Sequence, residues 1–68
     1  MLKISLAAAR VNAGLTQRQV AETLGVNVKT VWQWENGVAV PNSKYIDPLC
    51  ELYKMPYNHI NFLGKDSV

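Results

Sequence analysis

At 68 residues, with 49% hydrophobic and 18% charged side chains, the chain has room for one small domain and is too apolar for a disordered tail. Seven Lys and Arg against five Asp and Glu give a formal charge of only +2, so any nucleic-acid role has to come from local placement rather than net charge. The lone cysteine, Cys50, excludes an internal disulfide and a multi-cysteine zinc site, and it suits a reducing cytoplasm.

Gly, Pro and capping residues cut the chain into about five short helices and no strands, which places it in the all-α class. Residues 3–13 are rich in Ala and Leu and end at Gly14, the residue best suited to a left-handed helix end. Arg10 and Asn12 interrupt this segment, so it is neither an export leader nor a membrane span, and the protein is expected in the cytoplasm. Thr16 with Gln19 forms a capping box, with Leu15 and Val20 as its hydrophobic staple, so a second helix starts at Thr16. It turns Val20, Ala21 and Leu24 inward and stops at Gly25. Val26 and Asn27 form the joint, Asn27 caps a third helix, and Asn36-Gly37 ends it.

Beyond a loop through Pro41, Pro48 would remove a hydrogen bond from any helix begun near Ser43. The fourth helix is therefore expected over residues 48–54, with Asp47 as its cap and at most one looser turn before it. Pro56 opens a last helix running to Leu63, Gly64 closes it, and residues 65–68 fray. A single domain spans residues 1–68, with a helix-turn-helix at about 16–36.

The third helix carries the function. Wound at 3.6 residues per turn, NVKTVWQWENG puts Val31 and Trp34 on one side and Val28, Lys29, Trp32, Gln33 and Asn36 on the other. A solvated face would carry Glu and Lys; this one carries an amide, a cation and two apolar groups, the chemistry that reads base edges. The Gln33 amide can donate and accept at once, which suits adenine. Lys29 suits guanine or a phosphate. Val28 can meet a thymine methyl or pack on Val26. Trp32 lies away from the Val31–Trp34 stripe and is expected to be exposed, either against DNA or a protein partner or folded over the turn as a satellite of the core.

Two helices joined by Leu24-Gly25-Val26-Asn27 have the form of a helix-turn-helix, whose second helix enters the major groove of double-stranded DNA. Arg10, Gly14-Leu15-Thr16-Gln17, Val20-Ala21, Leu24-Gly25-Val26, Thr30-Val31, Trp34-Glu35-Asn36-Gly37 and Pro41 stand at the spacing of the phage repressor and Cro-type (XRE-like) helix-turn-helix family. The chain resembles that family from about Leu6 to Leu63. The resemblance implies a compact, lambda-repressor-like bundle of five helices and DNA binding, usually as a symmetric dimer.

Gln17 sits in the first turn of the second helix, where the positive helix end suits a phosphate, and the resemblance supports that contact. Thr16, Asn27, Thr30 and Asn36 are similar to the family's backbone contacts, although capping alone explains Thr16, Asn27 and Asn36. Lys44 stands where the family often meets phosphate, and it can equally be a solvated lysine. Arg10 lies among Ala7, Ala8, Ala9 and Val11 and needs solvent or a partner. The resemblance implies a structural pair with Glu35.

No enzyme site is expected. His59 has no His or Cys at ligand spacing, Cys50 lies beside Leu49 and Leu52, and Glu22, Asp47, Glu51 and Asp66 are scattered. No metal or cofactor is implied. The expected function is a sequence-specific transcriptional regulator of phage or bacterial type, a small repressor binding a two-fold operator through helix 27–36. One such domain reads too few base pairs for a genome, so a homodimer is expected, at least on DNA, with Tyr57, Ile60, Asn61 and Phe62 as a candidate contact. Phe62 can alternatively be core. With the chain ending at Val68 no sensing domain is expected, and the sequence fits a whole small repressor or an excised module. The main rival is a protein-interaction module, an antitoxin or adaptor gripping its partner through Trp32 and the last helix. A nonspecific architectural role fits the small charge and the Gln and Val of the reading face poorly.

Overall fold

The computed structural model describes residues 2–63; the expected end at Gly64 and the expected fraying of residues 65–68 lie outside them. In chain order the elements are β1 (Ile4–Ser5), α1 (Leu6–Asn12), α2 (Gln17–Leu24), α3 (Val28–Glu35), α4 (Ser43–Tyr53), a 3-10 turn (Tyr57–His59) and β2 (Ile60–Asn61). The all-α class holds. The count of five does not: four α-helices are present among the described residues, joined by two strands of two residues each.

The first helix starts later than Lys3 because Ser5 caps it, its Oγ accepting the Ala8 N–H at 3.0 Å. Ile4 and Ser5 pair instead, in parallel, with Ile60 and Asn61, which binds the two ends of the described chain together. The capping box forms as the sequence predicts: Thr16 Oγ1 accepts the Gln19 N–H and Gln19 Oε1 accepts the Thr16 N–H. The helix ends share one device. After α1, α2 and α4 the chain turns left-handed at Gly14, Gly25 and Lys54, whose N–H groups bond the carbonyls of Val11, Glu22 and Glu51. The next residue's N–H bonds one residue further back, to Arg10, Ala21 and Cys50. At Gly25 (φ 71) this places the sharp bend between α2 and α3.

The fourth helix differs most from expectation, running from Ser43 with Pro48 inside it. Asn42 is the cap, its Oδ1 facing the Lys44 N–H at 3.4 Å. Pro48 is tolerated because it and Lys44, the residue whose carbonyl loses its bond, both lie on the exposed side, where water can serve that carbonyl. The opposite face buries Leu49 and Tyr53 and half-buries Tyr45 and Ile46, which favours one continuous helix.

The expected last helix from Pro56 to Leu63 is likewise replaced, by the 3-10 turn and β2. Ile60 and Phe62 are buried while Asn61 between them is only half-buried, a period of two that suits extended chain better than helix. Ile60 and Phe62 therefore belong to the core, along with Leu6, Ala9, Val20, Ala21, Val31, Trp34, Leu49 and Tyr53. Of the proposed contact patch this leaves Tyr57 exposed, its ring stacked on Phe62 at 5.4 Å. No helix among the described residues is long and apolar enough to cross a membrane.

Candidate nucleic-acid interface

α2 and α3 form the largest helix-to-helix contact of the fold, and α3 is anchored by Val31 and Trp34, both buried. Asn27 caps it, Oδ1 accepting the Lys29 N–H at 2.9 Å, and the 27–36 span holds as a helix with its two caps. With that stripe pinned inward, the other ridges of α3 face solvent. Val28 and Trp32, one turn apart, are 36% and 46% exposed, and Lys29 is exposed beside them. Gln33 is half-buried, its amide forming no hydrogen bond among the described residues, while its backbone carbonyl accepts from Val38 and Ala39 and so ties the following loop to the helix. Val38 and Val40 in that loop are exposed. One helix surface thus presents an apolar ridge, Val28–Trp32, beside a polar ridge, Lys29–Gln33.

Three of the short polar residues around this surface have local duties. Thr16 and Asn27 cap α2 and α3, and Asn36 donates its Nδ2–H to the Trp32 carbonyl at 2.8 Å. These bonds leave the Asn27 amide N–H groups and the Thr16 hydroxyl proton free to donate. Thr30 is half-buried on the first turn of α3. Lys44 is exposed on the first turn of α4, its Nζ 5.2 Å from the centre of the Tyr45 ring, which packs in turn on Trp34 at 5.4 Å.

Behind the surface sits a single carboxylate. Glu35, the last residue of α3, accepts from Arg10 Nε at 2.7 Å and from Arg10 Nη2 at 3.3 Å, while Arg10 Nη1 donates to the Leu15 carbonyl at 2.9 Å. Gln17 Nε2 also donates to Glu35, at 2.9 Å. Gln17 therefore points one of its amide hydrogens inward rather than offering its whole amide to a phosphate. The sequence carries no local sign of this contact, which joins residues 18 apart. The carboxylate thus ties α1 and the start of α2 to the end of α3, and Arg10 adds the α1–α2 turn through Leu15, which together brace α3 against the two helices before it. The hydrogen bond to Glu35 raises the Arg10 pKa above its ordinary value, with partial burial opposing, so the guanidinium stays charged.

Residues 4–61 match the family model of the helix-turn-helix domain. The chain belongs to that DNA-binding family. No match was found among curated proteins or among solved structures. In this helix-turn-helix domain, α2 and α3 are two helices joined by a short turn through Gly25, and the family is typically non-enzymatic. Burial and Asp47 push the Cys50 thiol up, which disfavours the thiolate a nucleophile would need. Among the described residues no three His, Cys, Asp or Glu side chains are grouped to hold a metal ion.

Tyr53, buried beside the Arg10–Glu35 pair, has its pKa pushed up to about 12, first by burial and then by the Glu35 charge, against the opposing pull of Arg10. A folded-state value above the unfolded one contributes stability that is intact below about pH 10 and is lost as pH rises through about 12. Tyr53→Phe is expected to flatten the alkaline limb of the stability curve between those values, removing a loss of roughly 2–3 kcal/mol. Urea unfolding across alkaline pH checks this, and an unchanged limb in the variant would assign the loss to other groups.

Proposed function

We propose that the protein is a sequence-specific transcriptional regulator of the phage repressor and Cro type, acting as a repressor that blocks a promoter by occupying a two-fold operator. The observation that carries this reading is the solvent face of α3, where the uncommitted Gln33 amide and Lys29 stand beside the apolar Val28–Trp32 ridge while Val31 and Trp34 anchor the helix behind them. Gln33 is the adenine reader, Lys29 meets guanine or phosphate, and Val28 and Trp32 lie against thymine methyls and sugars. Thr16, Asn27, Thr30 and Asn36 flank that surface as backbone contacts, and Lys44 supplies a charge to the phosphates beyond the loop. The second amide hydrogen of Gln17 remains available to a phosphate oxygen while Glu35 holds the first.

One α3 covers only a few base pairs, so the working form is a homodimer on half-sites about one helical turn apart. Tyr57 and Leu63, both exposed near β2, are the apolar groups left to a dimer contact once Ile60 and Phe62 are assigned to the core. The protein-partner alternative draws on the same exposed Trp32.

Binding measured for Gln33→Ala and Lys44→Ala on a preferred duplex and on single-base variants of it tests the assignment. Gln33→Ala should lose discrimination at one or two positions by roughly 1–3 kcal/mol, whereas Lys44→Ala should weaken every duplex alike and flatten the salt dependence. Equal losses on all duplexes for Gln33→Ala would remove it as a base reader.

A further inference from the structure

The end of the recognition helix carries chemistry that base reading does not use. Asn36 is exposed and followed by Gly37, the only Asn-Gly pair in the chain. The fold imposes the glycine, because α3 ends with position 37 at φ 72, a conformation that other residues resist. This end also differs from its counterparts. The Gly14, Gly25 and Lys54 N–H groups bond the carbonyls of Val11, Glu22 and Glu51, whereas the Gly37 N–H makes no hydrogen bond among the described residues. A backbone nitrogen without a side chain to shield it, and without an acceptor holding its proton, is the nucleophile that attacks a neighbouring side-chain amide.

We infer that Asn36 is a site of spontaneous deamidation, and that its conversion weakens DNA binding as the protein ages. The Gly37 nitrogen loses its proton and forms a bond to Asn36 Cγ, the Cγ–Nδ2 bond breaks, and ammonia leaves with that proton. A water then opens the cyclic imide to aspartate or isoaspartate. Neither oxidant nor enzyme is needed. The native hydrogen bond from Asn36 Nδ2 to the Trp32 carbonyl holds the amide away from Gly37, so the last turn of α3 opens before the ring closes and the rate follows that local opening.

The product is mismatched to its place. A carboxylate cannot donate to the Trp32 carbonyl, and it sets a negative charge at the negative end of the helix. Lys29 and Gln33 share that surface, so the same charge repels approaching phosphates, while isoaspartate adds a backbone atom at the helix end. The other asparagines are less exposed to this chemistry: Asn12, Asn27, Asn42, Asn58 and Asn61 precede residues with side chains, and Asn27 and Asn42 are held as helix caps.

The effect on affinity rests on the DNA-binding reading, whereas the reaction itself does not, and two measurements separate them. Native protein is incubated at mildly alkaline pH, its peptides are mapped by mass, and binding to a mixed-sequence duplex is followed over the same time course. Asn36 is expected to gain the amide-to-acid mass change ahead of exposed Asn58, with a parallel loss of affinity that is larger at low salt than at high salt. Asn36→Asp should reproduce the loss without ageing, and Asn36→Gln, which alters a backbone contact and so starts from an affinity of its own, should hold that starting value through the time course. Asn36 remaining an amide while Asn58 converts would overturn the assignment. Conversion with affinity equal to that of fresh protein, in a protein that binds the duplex, would overturn its consequence; if fresh protein fails to bind any duplex, the DNA reading falls and the consequence with it, and the mass map still decides the reaction.

Discussion

Glu35→Ala is expected to destabilise the domain by about 3–5 kcal/mol. The side chain is only 5% exposed and serves three donors, Arg10 Nε, Arg10 Nη2 and Gln17 Nε2. Removing it strands a guanidinium that is itself only 16% exposed, together with a half-buried amide, and a buried group left unpaired costs its full desolvation. Arg10 retains its bond to the Leu15 carbonyl and a partial path to water, which favours the lower end of that range. Small domains are marginal to begin with, so a loss of this size leaves a large unfolded fraction at ordinary temperature. Urea unfolding of Arg10→Ala, Glu35→Ala and the double variant measures the coupling directly. The double variant should lose much less than the sum of the singles, and simple additivity would mean that the pair does not act as a strut.

Pro48→Ala is expected to act in the opposite direction, stabilising the fold by up to about 3 kcal/mol. Pro48 lies inside an eleven-residue helix, where its ring blocks the bond to the Lys44 carbonyl and crowds it. Its side chain is exposed, so replacing it opens no cavity, and alanine restores both the missing N–H and the best intrinsic helix propensity. Part of the gain is offset because proline also restricts the unfolded chain. A raised urea midpoint with an unchanged slope would confirm the gain. A lowered midpoint would mean that the ring itself packs favourably where it stands.

These two positions also show what the sequence could and could not reveal. Thr16 with Gln19, Asn27 as a cap, and Gly14, Gly25 and Gly37 as left-handed ends are decided within one turn of chain, and the structure has all of them. Pro48 misled because a strong local rule met a stronger tertiary one: burial of Leu49 and Tyr53 with Tyr45 and Ile46 on one face outweighs one missing hydrogen bond on the solvent side. Ser5 and Asn42 cap α1 and α4 in the structure, where the helix-forming run before Gly14 and the proline rule each point to another start. Alternation at Ile60 and Phe62 was too short to outweigh a proline that commonly opens helices, and pairing with Ile4, far away in sequence, decided the matter. On the candidate site, the outward set Val28, Lys29 and Trp32 follows from helical period alone. Gln17 does not, because its contact with Glu35 exists only once α2 and α3 are packed.

The most direct test of sequence-specific reading by α3 is selection of bound duplexes from a random pool by the intact protein. A two-fold motif with half-sites about 10 base pairs apart, centre to centre, is the predicted result, with preference lost at defined positions when Gln33→Ala is used in the selection. A pool that shows no enrichment would contradict base reading by α3 and would turn its exposed face, with Trp32 at its centre, toward a protein partner.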